Sequence, residues 1–269
     1  MNAFIHHFSF EFKTGLRNPT LMLMNYLFPL GFYALMGLVM VQINPGFKET
    51  LIPSMVIVSL MVATVLGLPS PLVESREAGI YRSFKINGVP ALSILSIPAL
   101  STTIHALIVS LIIALTAAPL FKGETPQSWG AFALLTLLIA FSYGGLGMLI
   151  GVVSSSSRAT VLWSQLIFLP SMLLGGLMMP LSFIPESIRP AAGLLPTTYA
   201  IEAMLGLAFA KPTVLDPQVS LLVLAAVGVL SVGLAIYLFS WDAHNSTRRG
   251  HPLLALLVLL PLIMGILLA

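Results

Sequence analysis

Apolar residues in this 269-residue chain come in long blocks rather than in alternation. About 20 apolar residues cross a hydrocarbon core as a helix. By that ruler the pattern predicts spans near 20–43, 51–73, 93–120, 129–153, 160–181 and 219–241, with a seventh, shorter apolar run at 253–269. Proline stands inside or at the ends of several blocks, at Pro29, Pro69, Pro98, Pro119 and Pro170. Membrane helices tolerate such prolines because neighbours re-satisfy the freed carbonyls. A membrane barrel would show alternating strands of about ten residues instead. The chain reads as an all-α integral membrane protein.

The polar segments between the blocks carry further elements. Near the N-terminus Phe4, Phe8, Phe12 and Leu16 recur every fourth residue, with Ile5 beside them and His7, Lys13, Thr14 and Arg17 opposite. That spacing predicts an interfacial helix over 2–18; a cap packed on its own bundle is the alternative. The opening residues lack the basic start, apolar middle and small-residue cleavage site of a signal peptide. From Met178 to Pro217 the chain is too apolar for an ordinary loop and too broken by Pro180, Pro185, Pro190 and Pro196 for one span. Short re-entrant helices fit it, and such backbone survives at membrane depth only where protein or a cavity covers it. In the fourth block Gly147 and Gly151 form a small-xxx-small pair among Gly144, Gly145, Gly147 and Gly151. The pair permits close helix approach, either at a dimer seam or within the chain.

Composition agrees: 58% of residues are hydrophobic and 8% charged, against about 25% charged in soluble domains. The net charge of +3 is spread thinly, which speaks against nucleic acid as a partner. With no cysteine, disulfides and thiolate metal sites are excluded. Lys and Arg set the orientation. With the N-terminus in the cytoplasm, that side holds Lys13, Arg17, Arg76, Arg82, Lys85, Arg158, Arg248 and Arg249, and the outside holds Lys48, Lys122, Arg189 and Lys211. The outer set is mixed with Glu49, Glu124, Glu186, Glu202 and Asp216. Eight against four predicts a multi-pass protein of the cytoplasmic (inner or plasma) membrane with its N-terminus inside.

Candidate chemistry is sparse. No Asp, Glu, Lys or Arg lies deep in a predicted span, and only His105 stands mid-span. A lone histidine there fits a hydrogen bond to a neighbouring helix better than proton carriage. The histidines at 6, 7, 105, 244 and 251 do not cluster as metal ligands. Ser142 or Ser164 with His105 has no strained nucleophile turn to make a hydrolase. No GxxxxGK[ST] phosphate cradle occurs. The chain is predicted to have no catalytic, cofactor or metal site of its own.

That leaves the polar insert Glu74–Pro90, ESREAGIYRSFKINGVP, between two membrane-length blocks. A short helix over Glu74–Lys85, with acids early and bases late in keeping with the helix dipole, ends at Gly88 and Pro90. Composition leaves two readings level, a docking element for a soluble partner and a loop that only sets topology.

Two stretches resemble the ABC-2 type permeases, the membrane halves of type V ABC exporters. ESREAGIYRSFKINGVP is similar to a pattern that follows the family's second span, with Glu77, Gly79 and Pro90 in place, Ile80 where Thr is usual and Phe84 where Leu is common. GGLMMPLSFIPESIRPAAGLLPTTYAIEAM resembles the family's glycine-rich fifth-helix end and the proline motif after it, through Gly175, Pro180, Pro185, Leu195, Pro196, Thr198, Tyr199 and Ala203. The resemblance implies a transmembrane domain over 1–245, with six spans, a cytoplasmic coupling helix and external re-entrant helices. The segment 246–269 is an extra hydrophobic end that either crosses the membrane or lies shallowly with a bend at Pro261. It implies that Glu74, Arg76, Glu77, Gly79, Tyr81, Arg82, Phe84 and Lys85 couple to a separate P-loop ATPase subunit, which would hold ATP and Mg. A second permease copy or a paralogue completes the assembly. Pro180, Pro185, Pro196, Tyr199 and Glu202 form the re-entrant motif, and helix position suggests Met55, Leu66, Leu166, Phe168 and Met172 along a substrate path. An apolar path suits export of a drug, antibiotic or lipid-like cargo. A polysaccharide or lipid-linked glycan exporter of the same fold, and an ion-coupled carrier, are the other readings.

Overall fold

Polar side chains at the helix starts set where the elements begin. The computed structural model describes residues 2–242 and 250–268; Arg248, Arg249 and His244, and the 245/246 boundary, lie outside the described residues. The helices are α1 (Asn2–Arg17), α2 (Pro19–Ile43), α3 (Leu51–Glu77), α4 (Ile80–Ile86), α5 (Ala91–Phe121), α6 (Trp129–Val153), α7 (Ser157–Leu174), α8 (Arg189–Gly193), α9 (Pro196–Ala203), α10 (Pro217–Leu238) and α11 (Leu259–Leu268). Asn18 accepts the amides of Thr20 and Leu21 at 2.9 and 3.3 Å with Pro19 in the first turn, so α2 starts at once after α1. Ser128, Ser156 and Asp216 cap α6, α7 and α10 in the same way. α2, α3, α5, α6 and α10 are each long and apolar enough to cross a membrane.

The bundle has two ends. We call the one carrying residues 77–90 basal and the other distal. α3 lies inside, its apolar stretch almost wholly enclosed by the chain, whereas α2 leaves most of its apolar stretch uncovered. α2 and α3 widen into π-turns before their prolines. The Phe28 amide reaches back five residues to Leu23 ahead of Pro29, and Val62–Gly67 is π-helical ahead of Pro69.

Apolar contact alone drives little association in lipid, so close approach and inter-helix hydrogen bonds matter more. Ser59 and Ser110 hydroxyls meet at 3.1 Å between α3 and α5, and Ser142 donates to the Leu224 carbonyl at 2.6 Å between α6 and α10. Gly147 and Gly151 face Thr64, Pro69 and Leu72 of α3. The small-residue pair therefore serves packing within the chain.

α1 packs on its own bundle. The Phe12 ring stacks on His105 of α5 at 4.2 Å, and Gly15 gives the imidazole room. Both ring nitrogens of His105 are engaged: Nδ1 is 2.6 Å from the Tyr26 hydroxyl and Nε2 is 3.2 Å from the Phe12 carbonyl, which can only accept. His105→Leu is expected to cost about 2 kcal/mol and to quicken proteolytic removal of α1, read by limited proteolysis in detergent. The predicted stripe of α1 is divided between two sides. His7, Glu11 and Thr14 turn toward the protein with Phe8 and Phe12, while Phe4, Ile5, Phe10 and Leu16 stay exposed. Gly15 chooses the packed side, because only there can the helix approach α5.

Two expectations change. In the fifth predicted span α7 ends early, at Leu174 rather than near 181, because Gly176 at φ 84° reverses the chain where only glycine is unstrained, and α7 is not among the helices long and apolar enough to cross. The predicted Glu74–Lys85 helix is two pieces. Glu74–Glu77 finishes α3, and Gly79 at φ 74° starts α4 in a new phase. The C-terminal run is extended along the bundle and falls short of the helices long enough to cross a membrane. Pro252–Val258 is 3₁₀ and α11 follows, a rise of about 29 Å; Gly250 lies beside Tyr237 and Leu238 at the basal end, and Ile266 reaches Gly193.

Candidate functional site

The basal projection grows out of the end of α3. Pro69, Leu72, Val73 and Arg76 are buried at helical spacing, while Glu74 and Glu77 face outward. Arg76 donates to the Val152 carbonyl at 2.9 Å and to the Ser154 carbonyl, both at the C-terminal end of α6. There a cation meets carbonyls left without helical partners. Arg76 is thus an internal strut, and the expectation that it faces a partner is corrected.

Tyr81 is corrected likewise. It looks exposed in a charged segment, but the turn at Gly79 points it inward against Phe239, ring centroids 5.7 Å apart. Burial pushes the Tyr81 phenol up from its ordinary value. Arg82 pairs with Asp242 just beyond α10, and Phe84 packs on His7 of α1 with centroids 5.5 Å apart. α4 is thereby tied to α1 and to the end of α10. What faces outward is Glu74, Glu77, Arg82 and Lys85, joined by Ile80 and by Ile86, which is 85% exposed. The two isoleucines were missed in the sequence, where apolar residues inside a charged segment were the available signal. Such a projection, charged with an apolar tip, has the make-up of a protein-docking surface.

The other named residues lie elsewhere. Met55 and Phe168 are buried, Leu66 and Met172 are half-buried, and Leu166 is exposed, so the single chain does not gather these five into one wall. In the proline motif Pro180 is half-buried, Pro185 exposed, and Pro196, Tyr199 and Glu202 buried. Thr197 touches the Met61 sulfur at 3.5 Å and accepts from Tyr143 at 3.1 Å. Met61 lies about 15 Å along α3 from its distal end, so α9 starts deep in the bundle. It then climbs to Ala208, whose carbonyl receives the amides of Gln127 and Ser128. The Tyr199 hydroxyl donates to the Leu262 carbonyl at 2.9 Å and anchors α11. Glu202, counted from sequence among the loop charges, is buried and accepts the amides of Val214 and Leu215 at 2.6 and 2.9 Å, shaping the return loop.

Between α1, α2, the basal half of α3, α4, α5 and α7 lies a cleft of about 1030 Å³. Glu11 lines it, 3.6 Å from His7. Burial raises its carboxyl above the ordinary 4.5, more than His7 lowers it. A raised acid pKa favours folding below the unfolded value, and that contribution is lost as pH rises through the folded one. Glu11→Gln removes this titration. Thermal midpoints in detergent are therefore expected to show the wild type losing ground to Glu11→Gln between acid and neutral pH.

The family model described as ABC-2 type transporter matches residues 3–209, from α1 through the end of the α9 climb. The chain belongs to the ABC-2 type transporter family. This ABC-2 chain is thus a membrane-embedded, multi-pass permease subunit of an ABC transporter, a transport subunit rather than a catalyst, in a family that normally works with an ATPase subunit. The match stops short of α10 and α11. No curated protein and no solved structure matches the ABC-2 chain.

Proposed function

We propose that the chain is one membrane half of an ATP-driven exporter that pairs with a second copy or a paralogue and moves a hydrophobic or amphipathic cargo outward. Its N-terminus and basal end face the cytoplasm, and a separate P-loop ATPase subunit carries ATP and Mg. The supporting observation is mechanical. α4, with Ile86 projecting, hangs by the Gly79 turn from α3, the helix most enclosed by the bundle. Packed interiors transmit displacement rather than absorb it. A push on α4 as the ATPase subunits close would therefore move α3, and with it α5, α6 and α9.

The test is stimulation of ATP hydrolysis by the purified chain mixed with its ATPase partner. Ile86→Asp and Glu77→Lys are expected to cut stimulation at least about tenfold, the size of effect typical of a hot-spot contact, without lowering the thermal midpoint. If the unaltered chain neither binds nor stimulates an ATPase, the coupling role is lost. If both variants stimulate normally, residues 77–86 are only a topology loop.

A further inference from the structure

Beside the docking projection, and sharing Glu74 and Ile80 with it, the basal cleft has the make-up of a binding site. At about 1030 Å³ it is at the upper end of the size range of small-molecule sites. Its wall is of two kinds. At one level of the cleft Leu21, Met24, Leu66 and the half-exposed Val161 present apolar surface. Toward the basal end stand the carboxylates of Glu11 on α1 and Glu74 on α3. Glu74 and Leu66 are separated by about 12 Å along α3, so the acidic and the apolar stretches are distinct zones of one cavity.

Among the described residues the charges have one sign: no described Lys or Arg lines the cleft, although Arg82 and Lys85 are on the neighbouring α4. The other titratable groups in the wall are His7, which contacts Glu11, and Tyr81. A second observation is independent of the acids. Ser164 of α7 lines the same cleft, is 2% exposed, and its hydroxyl has no hydrogen-bond partner. A buried hydroxyl left unpaired is unfavourable unless a ligand or water completes it. Gln165 beside it adds a second donor and acceptor to the same wall.

We propose that this cleft binds an amphiphile with a cationic ammonium head group, held by Glu11 and Glu74, its apolar tail running between α2, α3 and α7 and its polar linker meeting Ser164. A pair of carboxylates, Glu11 half-buried and Glu74 exposed, favours a cation over a neutral or anionic head group, and the apolar stretch selects against small hydrophilic amines. Burial raises the Glu11 carboxyl more than His7 lowers it. An ammonium ion beside it would favour the ionised form further. The assignment deepens the transport reading by naming the head group of the cargo, and rests on that reading only in calling the bound molecule cargo.

The experiment needs no ATPase. The full chain in lipid nanodiscs is titrated with radiolabelled dodecyltrimethylammonium and, separately, with the zwitterionic dodecylbetaine, which has the same tail. One saturable ammonium site per chain is expected. Glu11→Gln and Glu74→Gln are each expected to weaken it about tenfold, and Ser164→Phe, which fills the cleft, to abolish it. Betaine binding is expected to be weaker and indifferent to the two amides. Both amides are near-isosteric, and a cooperative thermal transition shows that they fold, so they carry the test if Ser164→Phe does not. Non-saturable partitioning, equal affinity for ammonium and betaine, or amide variants within about twofold of wild type would each overturn the assignment. Saturable, acid-dependent binding without ATP-linked flux would leave the site standing and sink the exporter reading instead.

Discussion

Gly147→Ala is expected to be the most damaging single-methyl change in the chain. A Cβ at Gly147 would lie 2.1 Å from the Thr64 carbonyl oxygen and 3.0 Å from its carbon. These are backbone atoms of α3, which is enclosed on all sides and cannot retreat. Overpacking of this kind costs about 3 kcal/mol, at the upper end of its usual range. For a chain of this size that is a fall in thermal midpoint of roughly 10 °C. The matched control is Gly31→Ala in α2, where an added Cβ meets nothing within 4 Å; it is expected to be neutral or slightly stabilising. Scanning fluorimetry in detergent, with Trp129, Trp163 and Trp241 as reporters, separates the two. Equal midpoints for both variants would mean that α3 and α6 are not in close contact.

The second large effect is at Arg76. Arg76→Ala is expected to remove two charge-assisted bonds to the Val152 and Ser154 carbonyls, leave those carbonyls buried, and cost about 3 kcal/mol. Arg76→Lys recovers only part, since one ammonium lacks the planar fork that reaches two carbonyls. Glu77, the next residue, faces away from the bundle. Glu77→Lys is expected to leave stability unchanged while removing ATPase stimulation. Paired thermal and ATPase measurements on adjacent residues thus separate strut from docking surface. A stable Arg76→Ala protein that fails to stimulate the partner would return Arg76 to the docking surface.

The contrast between these neighbours was partly legible. Pro69, Leu72, Val73 and Arg76 share one face at helical spacing, so a charge following an apolar stripe was a sign of inward placement. Tyr81 was less legible. Counted along an unbroken helix it falls on the Glu74 and Glu77 face, and only the left-handed turn at Gly79 shifts it inside. Glu202 reads as a loop charge until Val214 and Leu215 fold back to donate their amides to it.

The apolar blocks by themselves determined the membrane class and, within a few residues, where most of the long helices lie. Local chemistry set their starts, through Asn18, Ser128, Ser156 and Asp216. Only the tertiary structure decided which faces meet protein. In lipid, a face packed on another helix and a face against acyl chains are both apolar, so hydrophobic periodicity, which separates core from water, is silent between them. For that reason the inner position of α3, the partner of Gly147 and the basal cleft appear only when the helices are assembled. The outward projection at 80–86 was visible as a polar insert, but the residues that face outward from it were chosen by one glycine.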